Sequence, residues 1–256
     1  MLPSHIWHLK GKLQTGPTVV ILGGTHGDEL AGIEVIRRLL KQLGLLNTPS
    51  NTFTYEDVCG YIYLGFGNPE AMLRNTRSAS EGLNLNRSFS IKALNKDPAN
   101  CEREVLRRAR ELTRILSEAD FLFDLHNTST PSEPFVCFGD RTDKRLELCK
   151  LIPVKYVITD PYREYTRLEG LSDLATTDEY VQLHGGVGIC YETGWSKDVS
   201  QTEHIMSVLL KLLQYIGAIN DTLLKQLGDL PEVPFTDEQH IYAIEKVVKA
   251  KHNGFE

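Results

Sequence analysis

Apolar residues along this 256-residue chain follow two rhythms: short unbroken runs, and longer stretches with apolar positions three and four apart. The run Thr18-Val19-Val20-Ile21-Leu22-Gly23-Gly24 predicts a strand buried on both faces. Shorter runs at Tyr61–Phe66, Phe121–Leu125, Phe135–Phe138, Val154–Ile158 and Val187–Tyr191 predict five more strands, each bounded by Gly, Pro or Asp. Leu30, Ile33, Ile36, Leu40 and Leu43 recur at helical spacing until Gly44 stops them. Glu102–Leu116 carries Val105, Leu106, Ala109, Leu112, Ile115 and Leu116 on one side. A helix over Gln201–Ile216 is expected to start from a capping box of Ser200 and Glu203. Strands alternating with helices predict a three-layer α/β/α fold around a mixed, mostly parallel central sheet.

The rhythm weakens near the C-terminus. Gly217–Pro234 reads as a linker with a short helical piece, and Leu230-Pro231-Glu232-Val233-Pro234 interrupts regular structure. Tyr242–Val248 alternates in part like a strand, with almost no following chain for it to pair with. The expected division is one domain over 1–220 and an incomplete segment over 221–256.

Composition adds mainly exclusions. At 41% hydrophobic and 24% charged, the chain can bury one large core. A net charge of -6 and a pI near 5.8 argue against a nucleic-acid partner, which needs clustered Lys and Arg. No run approaches the roughly 20 apolar residues of a membrane span, and Met1–Lys12 contains no long apolar stretch, so the expectation is a cytoplasmic protein. The five cysteines, Cys59, Cys101, Cys137, Cys149 and Cys190, are odd in number and widely spaced, which fits small apolar fillers better than a disulfide framework or cysteine metal site.

The chemistry sits where the strands end. His26 and Glu29 stand three apart in a glycine-flanked turn between the first buried run and the following helix, at the strand's carboxyl end where open α/β sheets place their sites. His-x-x-Glu is a short motif, and its ordinary reading is a His and an acid at a helix start. A second run, Phe121-Leu122-Phe123-Asp124-Leu125, leads straight into His126-Asn127-Thr128 and delivers another imidazole to the same sheet edge. Two His and one carboxylate form a catalytic zinc set that leaves a position for water. Asp124 lies on the same side of its strand as His126 and could accept the ligand's second ring N–H, or cap a nearby turn. A third run, Gly188-Ile189-Cys190-Tyr191-Glu192-Thr193-Gly194, ends in a carboxylate suited to general acid–base work if its pKa is modestly raised. After Gly67-Asn68-Pro69, the stretch from Arg74-Asn75-Thr76-Arg77 to Leu83-Asn84-Leu85-Asn86-Arg87-Ser88-Phe89 gathers arginines and amides of the kind that clamp an anionic substrate, or that simply populate an exposed loop.

Taken together, Gly23-Gly24-Thr25-His26-Gly27-Asp28-Glu29, Asn68-Pro69, Leu85-Asn86-Arg87, Asp124-Leu125-His126-Asn127-Thr128 and Glu192-Thr193-Gly194 resemble the succinylglutamate desuccinylase and aspartoacylase family, in order, over roughly Thr18–Ile216. The resemblance implies a zinc carboxypeptidase-like fold and one zinc ion per chain held by His26, Glu29 and His126. It makes Glu192 the general base and acid, places Arg87 at the scissile carbonyl, and gives Arg77, Asn86 and Arg87 to the substrate, a small N-acyl amino acid. It makes 1–220 the catalytic domain and 221–256 the linker and opening of a truncated C-terminal β domain, and it leaves room for a homodimer.

The chain departs from the pattern in three places. Asn84 stands where the family often has Asp; the loop between Arg77 and Asn86 is about two residues longer than in aspartoacylase; and no Arg lies between Leu168 and Glu192, which leaves Arg163 or Arg167 as substitutes. A missing clamp matters for a dicarboxylate substrate, so neither aspartate nor glutamate follows as the amino acid. The other readings are a zinc metallocarboxypeptidase acting on peptides and a non-catalytic metal-binding relative. A dinucleotide site at Gly23-Gly24 fails for want of a Gly-x-Gly-x-x-Gly and because Asp28 and Glu29 repel phosphate.

Overall fold

A computed structural model describes residues 2–12, 14–80, 83–97, 103–164, 167, 175–227, 231 and 238–247. The nine strands among the described residues are β1 (Ile6–Gly11), β2 (Thr18–Gly23), β3 (Thr52–Tyr55), β4 (Tyr61–Phe66), β5 (Phe121–Thr128), β6 (Phe135–Phe138), β7 (Tyr156–Thr159), β8 (Val187–Trp195) and β9 (His240–Ala243). They form one sheet in the order β3-β1-β4-β2-β5-β8-β6-β7-β9. Only the β1–β4 and β6–β8 pairs are antiparallel. The sheet is therefore mixed and mostly parallel, as the alternation of runs and helices required.

The described helices are α1 (Leu30–Gln42), α2 (Pro69–Arg74), α3 (Ile91–Asn95), α4 (Arg103–Leu116), α5 (Asp143–Cys149), α6 (Thr177–Leu183), α7 (Thr202–Tyr215) and α8 (Asp221–Gln226), with a 3-10 turn at Leu85–Arg87. The period-2 geometry of β2 divides them into two layers. Val19 and Ile21 join Ile33, Ile36 and Leu40 of α1 and Leu209 and Leu212 of α7 on one face. Val20 and Leu22 join Val105, Ala109 and Leu112 of α4 on the other. Each face is closed by helices, which is why the central runs are almost wholly apolar, Asp124 of β5 being the exception.

Three details differ from the sequence reading. Strands β1 and β3 escaped it because their burial alternates or is slight: Trp7, His8 and Lys10 are only partly covered, and Thr52 and Thr54 are exposed. Helix α7 starts from Gln201 with no side-chain cap: the Ser200 hydroxyl donates to Asp198 at 2.6 Å, and the Glu203 carboxylate takes Arg38 at 3.2 Å. A complete capping box occurs instead at Thr176 and Glu179, at the start of α6. The late strand also has a partner. It lies at His240–Ala243, earlier than the alternating stretch suggested, and pairs parallel with β7 at the sheet edge. The short helix expected in the linker is α8; the Leu230–Pro234 break and residues 248–256 lie outside the described residues apart from Pro231. No helix among the described residues is long and apolar enough to cross a membrane.

Candidate metal centre and active site

Strands β2, β5 and β8 carry the site at their carboxyl ends, and strand register explains how. On β5, Leu122, Asp124 and His126 share one face by parity, the face that Val20 and Leu22 present to α4. Parallel pairing sets Asp124 opposite Cys190 and His126 opposite Glu192. Antiparallel pairing then sets Cys190 opposite Cys137 and Glu192 opposite Phe135. The ladder is interrupted just beyond His126, where β8 runs from Glu192 to Trp195 while β5 advances only to Thr128, and Gly194 takes the positive φ of 101° that this bulge needs.

Glu29 stands at the N-cap position of α1, yet its carboxylate caps nothing. Oε1 lies 2.7 Å from His26 Nδ1 and accepts from Arg77 Nη1 at 3.1 Å. Oε2 lies 2.9 Å from His126 Nδ1 and accepts from the Asn127 backbone N–H at 3.0 Å. The helix-start reading of this acid therefore fails, because the side chain turns into the site. His26, Glu29 and His126 are all buried, and their donor atoms lie within 4.8 Å of one another.

Each imidazole is oriented through its other nitrogen. His26 Nε2 faces Asn84 Oδ1 at 3.0 Å, and His126 Nε2 faces Asp124 Oδ2 at 3.2 Å. Asp124 is completely buried and is held by the Thr25 hydroxyl at 2.8 Å and the Thr177 hydroxyl at 2.6 Å. With an N–H committed to a carbonyl or carboxylate on the far side, each ring presents Nδ1 toward Glu29. Two imidazole nitrogens and a carboxylate converging in this way fit a divalent cation that accepts N and O donors. Asp124 thus has the supporting place that its spacing suggested.

Electrostatics follow from this crowding. Burial alone would raise the Glu29 carboxyl, but the adjoining His126 and His26 imidazoles reverse that and hold it well below the usual carboxylate range. Burial lowers His26. Burial also works against a charged His126, and Asp124 and Glu29 overcome it and raise that imidazole well above its ordinary value. At Glu192 burial outweighs the neighbouring His126 and Arg77 charges. Burial pushes its carboxyl up to about 7, and its Oε2 is enclosed without a hydrogen-bond partner.

The loop residues separate into two groups. Asn68 accepts from the Ala71 N–H at 3.3 Å and Pro69 fills the first helical position, so Asn68-Pro69 builds the start of α2. Arg77, Asn86 and Arg87 line the same cavity of about 350 Å³ as His26, His126 and Glu192. Arg87 donates to the Asn86 carbonyl oxygen at 2.7 Å. Asn86 is clamped by the Thr177 N–H on its Oδ1 at 3.0 Å, with its amide nitrogen 3.4 Å from His126 Nε2. Neither Arg163 nor Arg167 lines this cavity; Arg167 pairs with Glu164 at 2.7 Å.

Sequence reasoning missed several residues that set this geometry. Arg145 is 1% exposed, donates to the carbonyl oxygens of Gly188 at 3.0 Å and Asp140 at 2.8 Å, and pairs with Asp178 at 3.5 Å, thereby tying α5 and α6 to β8. Gly188 is required where α6 crosses β8, since a side chain there would strike the Asp178 backbone. Arg108 is likewise buried and donates to the Phe66 and Gly67 carbonyl oxygens at 2.6 and 2.7 Å. Arginines inside amphipathic helices carry no local signal that distinguishes them from solvated ones.

Comparison with known proteins agrees with this architecture. The model of the succinylglutamate desuccinylase/aspartoacylase catalytic domain matches residues 15–216. A probable aspartoacylase of Prochlorococcus marinus (strain NATL2A) is 33% identical over 141 residues, 52% of this chain and 41% of that protein. An N-acyl-aromatic-L-amino acid amidohydrolase (carboxylate-forming) of Xenopus tropicalis is 33% identical over 116 residues, 44% of this chain and 34% of that protein. The chain thus spans less than half the length of these relatives. Among solved structures, a succinylglutamate desuccinylase/aspartoacylase from Rhodobacter sphaeroides aligns with TM-score 0.63 at 24% identity, over 84% of this chain and 59% of its own. The product-bound ectoine utilization protein EutE (DoeB) from Ruegeria pomeroyi aligns with TM-score 0.64 at 23% identity, over 94% and 66%. At these identities the solved structures speak for the fold, while the catalytic-domain match covers most of the chain, which belongs to the succinylglutamate desuccinylase/aspartoacylase family.

Proposed function

We propose that the protein is a zinc-dependent hydrolase of the amide bond of a small N-acyl amino acid, releasing a carboxylic acid and an amino acid. One observation carries the reading: Glu192, a carboxylate with one oxygen enclosed and unpartnered, lies directly across the strand register from His126, a member of the convergent His26–Glu29–His126 set. The family and the names of the relatives support the same class of reaction.

Zinc held by His26, Glu29 and His126 would supply a Lewis acid that lowers the pKa of a water to about 7 and polarises a carbonyl. Glu192, with its pKa pushed up to about 7, is matched to taking that water's proton and returning it to the leaving nitrogen. Arg87 lines the cavity on the Asn86 side and is assigned to the developing oxyanion. Asn86, fixed by α6, and Arg77, which spends one N–H on Glu29, are assigned to orienting the substrate's carboxylate. Because no second arginine takes the missing clamp position among the described residues, a dicarboxylate is not singled out.

The test is hydrolysis of N-acetyl, N-succinyl and longer acyl amino acids by zinc-loaded protein, beside release of C-terminal residues from peptides. Free amino acid is expected from the first set, and release from peptides alone would favour a metallocarboxypeptidase. Glu192→Gln should keep the metal and lower turnover by roughly 10²–10⁴-fold. Metal lost with that substitution would make Glu192 a ligand and redraw the roles.

A further inference from the structure

Two thiols meet in the floor of the active-site cavity, and the hydrolytic reading uses neither. Cys137 of β6 and Cys190 of β8 are directly opposed residues of an antiparallel pair, 53 positions apart in the chain. Residues opposed in this way have Cα atoms about 4.5–5.5 Å apart and side chains on one face. A disulfide needs a Cα separation of about 4.4–6.8 Å, so the backbone already has the spacing that a bridge requires. Both side chains line the cavity. Both are free thiols, Cys137 half-buried and Cys190 buried.

The two are not equivalent. Contact with the Cys137 thiol, followed by burial, pushes the Cys190 thiol well above its usual range. Cys137 is the more exposed of the two, so a solute entering the cavity meets it before the more deeply buried Cys190. Cys149, buried in α5, and Cys59 do not line the cavity.

We propose that Cys137 and Cys190 are a peroxide-sensitive dithiol that closes to a disulfide across β6 and β8 and disables the adjoining site. The Cys137 sulfur, as thiolate, attacks one oxygen of hydrogen peroxide; the O–O bond breaks, a sulfenic acid forms and hydroxide leaves, taking up the thiol's proton as water. The Cys190 sulfur then attacks the sulfenic sulfur, the S–O bond breaks, and the departing hydroxide takes the Cys190 proton as a second water. Two thiols and one peroxide give one disulfide and two waters. Bonded sulfurs are about 2.05 Å apart, so closure turns both side chains toward each other in the cavity wall; the Cys190 sulfur lies within 4.8 Å of donor atoms of His126 and Glu192, and its movement shifts that carboxylate. A displacement of about 1 Å at a catalytic group can cost on the order of 10²-fold in rate, and that is the expected loss.

The test uses the unaltered, zinc-loaded chain, exposed to hydrogen peroxide near neutral pH, quenched with an alkylating agent and digested with trypsin. The two cysteines fall in separate peptides, 115–141 and 168–197, each with a single cysteine. A cross-linked pair of these peptides, lighter than their sum by two hydrogens, is expected to accumulate with one rate. Reduction by dithiothreitol should reverse it, and Cys137→Ala should leave no cross-link. Irreversible oxidation of Cys137 without a cross-link, or a bridge between another pair, overturns the proposal. The mass readout is independent of the substrate reading; the effect on turnover rests on it, and a bridge that forms while turnover is unchanged overturns the inhibitory consequence.

Discussion

Replacing Glu192 by Gln removes one enclosed negative charge while nearly preserving shape, so its effect on stability should depend on pH in a calculable way. The Glu192 carboxyl rises from 4.5 to about 7 on folding, chiefly because burial penalises its charged form. A carboxyl whose folded value lies above its unfolded value favours folding while it is protonated. That contribution is complete below the unfolded pKa and is lost as pH rises through the folded one. At 1.36 kcal/mol per pKa unit the rise corresponds to about 3 kcal/mol, which the residue's partial exposure reduces to roughly 2 kcal/mol. In metal-free protein, the stability of Glu192→Gln relative to the unaltered chain should therefore improve by roughly 2 kcal/mol between pH 5 and pH 8. Urea unfolding at several pH values measures this directly, because titrations common to both proteins cancel in the difference. A cation in the His26–Glu29–His126 set would favour the carboxylate, so zinc loading should flatten the dependence. A pH-independent difference, or one that favours Gln more at pH 5 than at pH 8, would refute the burial argument and with it the assignment of Glu192 as a base tuned to neutral pH.

Three further outcomes test the supports of the site. Asn84→Leu removes the carbonyl that orients His26 through Nε2, and competition with a chelator should show zinc affinity lower by about 10–100-fold, the usual cost of losing such a partner. His126→Ala removes a donor outright and should cost more affinity than Asn84→Leu in the same assay; equal losses would remove His126 from the donor set. Arg145→Met leaves Asp178 buried without its cation and the Gly188 carbonyl without its donor, so urea unfolding should show a loss of about 3–5 kcal/mol, and a loss below about 1 kcal/mol would refute the tie between α5, α6 and β8.

The central fold was legible because its signal is local. Strands β2, β5 and β8 are covered on both faces, so each appears as a largely apolar run, broken in β5 by Asp124, and α1 and α4 bury one side and show the helical period. Edge strands have no such constraint. The side chains of β9 are exposed at every position, and β3 buries none fully, though its Phe53 and Tyr55 lean on the core; backbone pairing with β7 and β1, which any sequence without proline can supply, carries much of their placement. The misplaced capping box has the same origin. Ser200 and Glu203 have the right spacing, but Asp198 competes for the hydroxyl from inside the preceding loop, and a residue pattern does not rank two hydrogen bonds of similar quality.

At the site, the residues that touch one another were legible only where a strand end announced them. His126 and Glu192 each close an apolar run, so their convergence needed one added assumption, that β5 and β8 are neighbours in register. The hydrogen bonds that hold Asp124 come from Thr25 and Thr177, 99 and 53 positions away, and both belong to elements with their own local reasons to exist. Thr177 opens a helix and looks like part of a cap; nothing nearby indicates that its hydroxyl leaves the helix for a carboxylate on β5. Cys137 and Cys190 make the same point from the other side. Taken singly, each is a small apolar filler, and only the β6–β8 register makes them a pair. The chemistry of this sheet therefore lies in which strands are neighbours more than in any one strand, and a change in strand register of a single residue would turn His126, Glu192 or Cys190 to the opposite face.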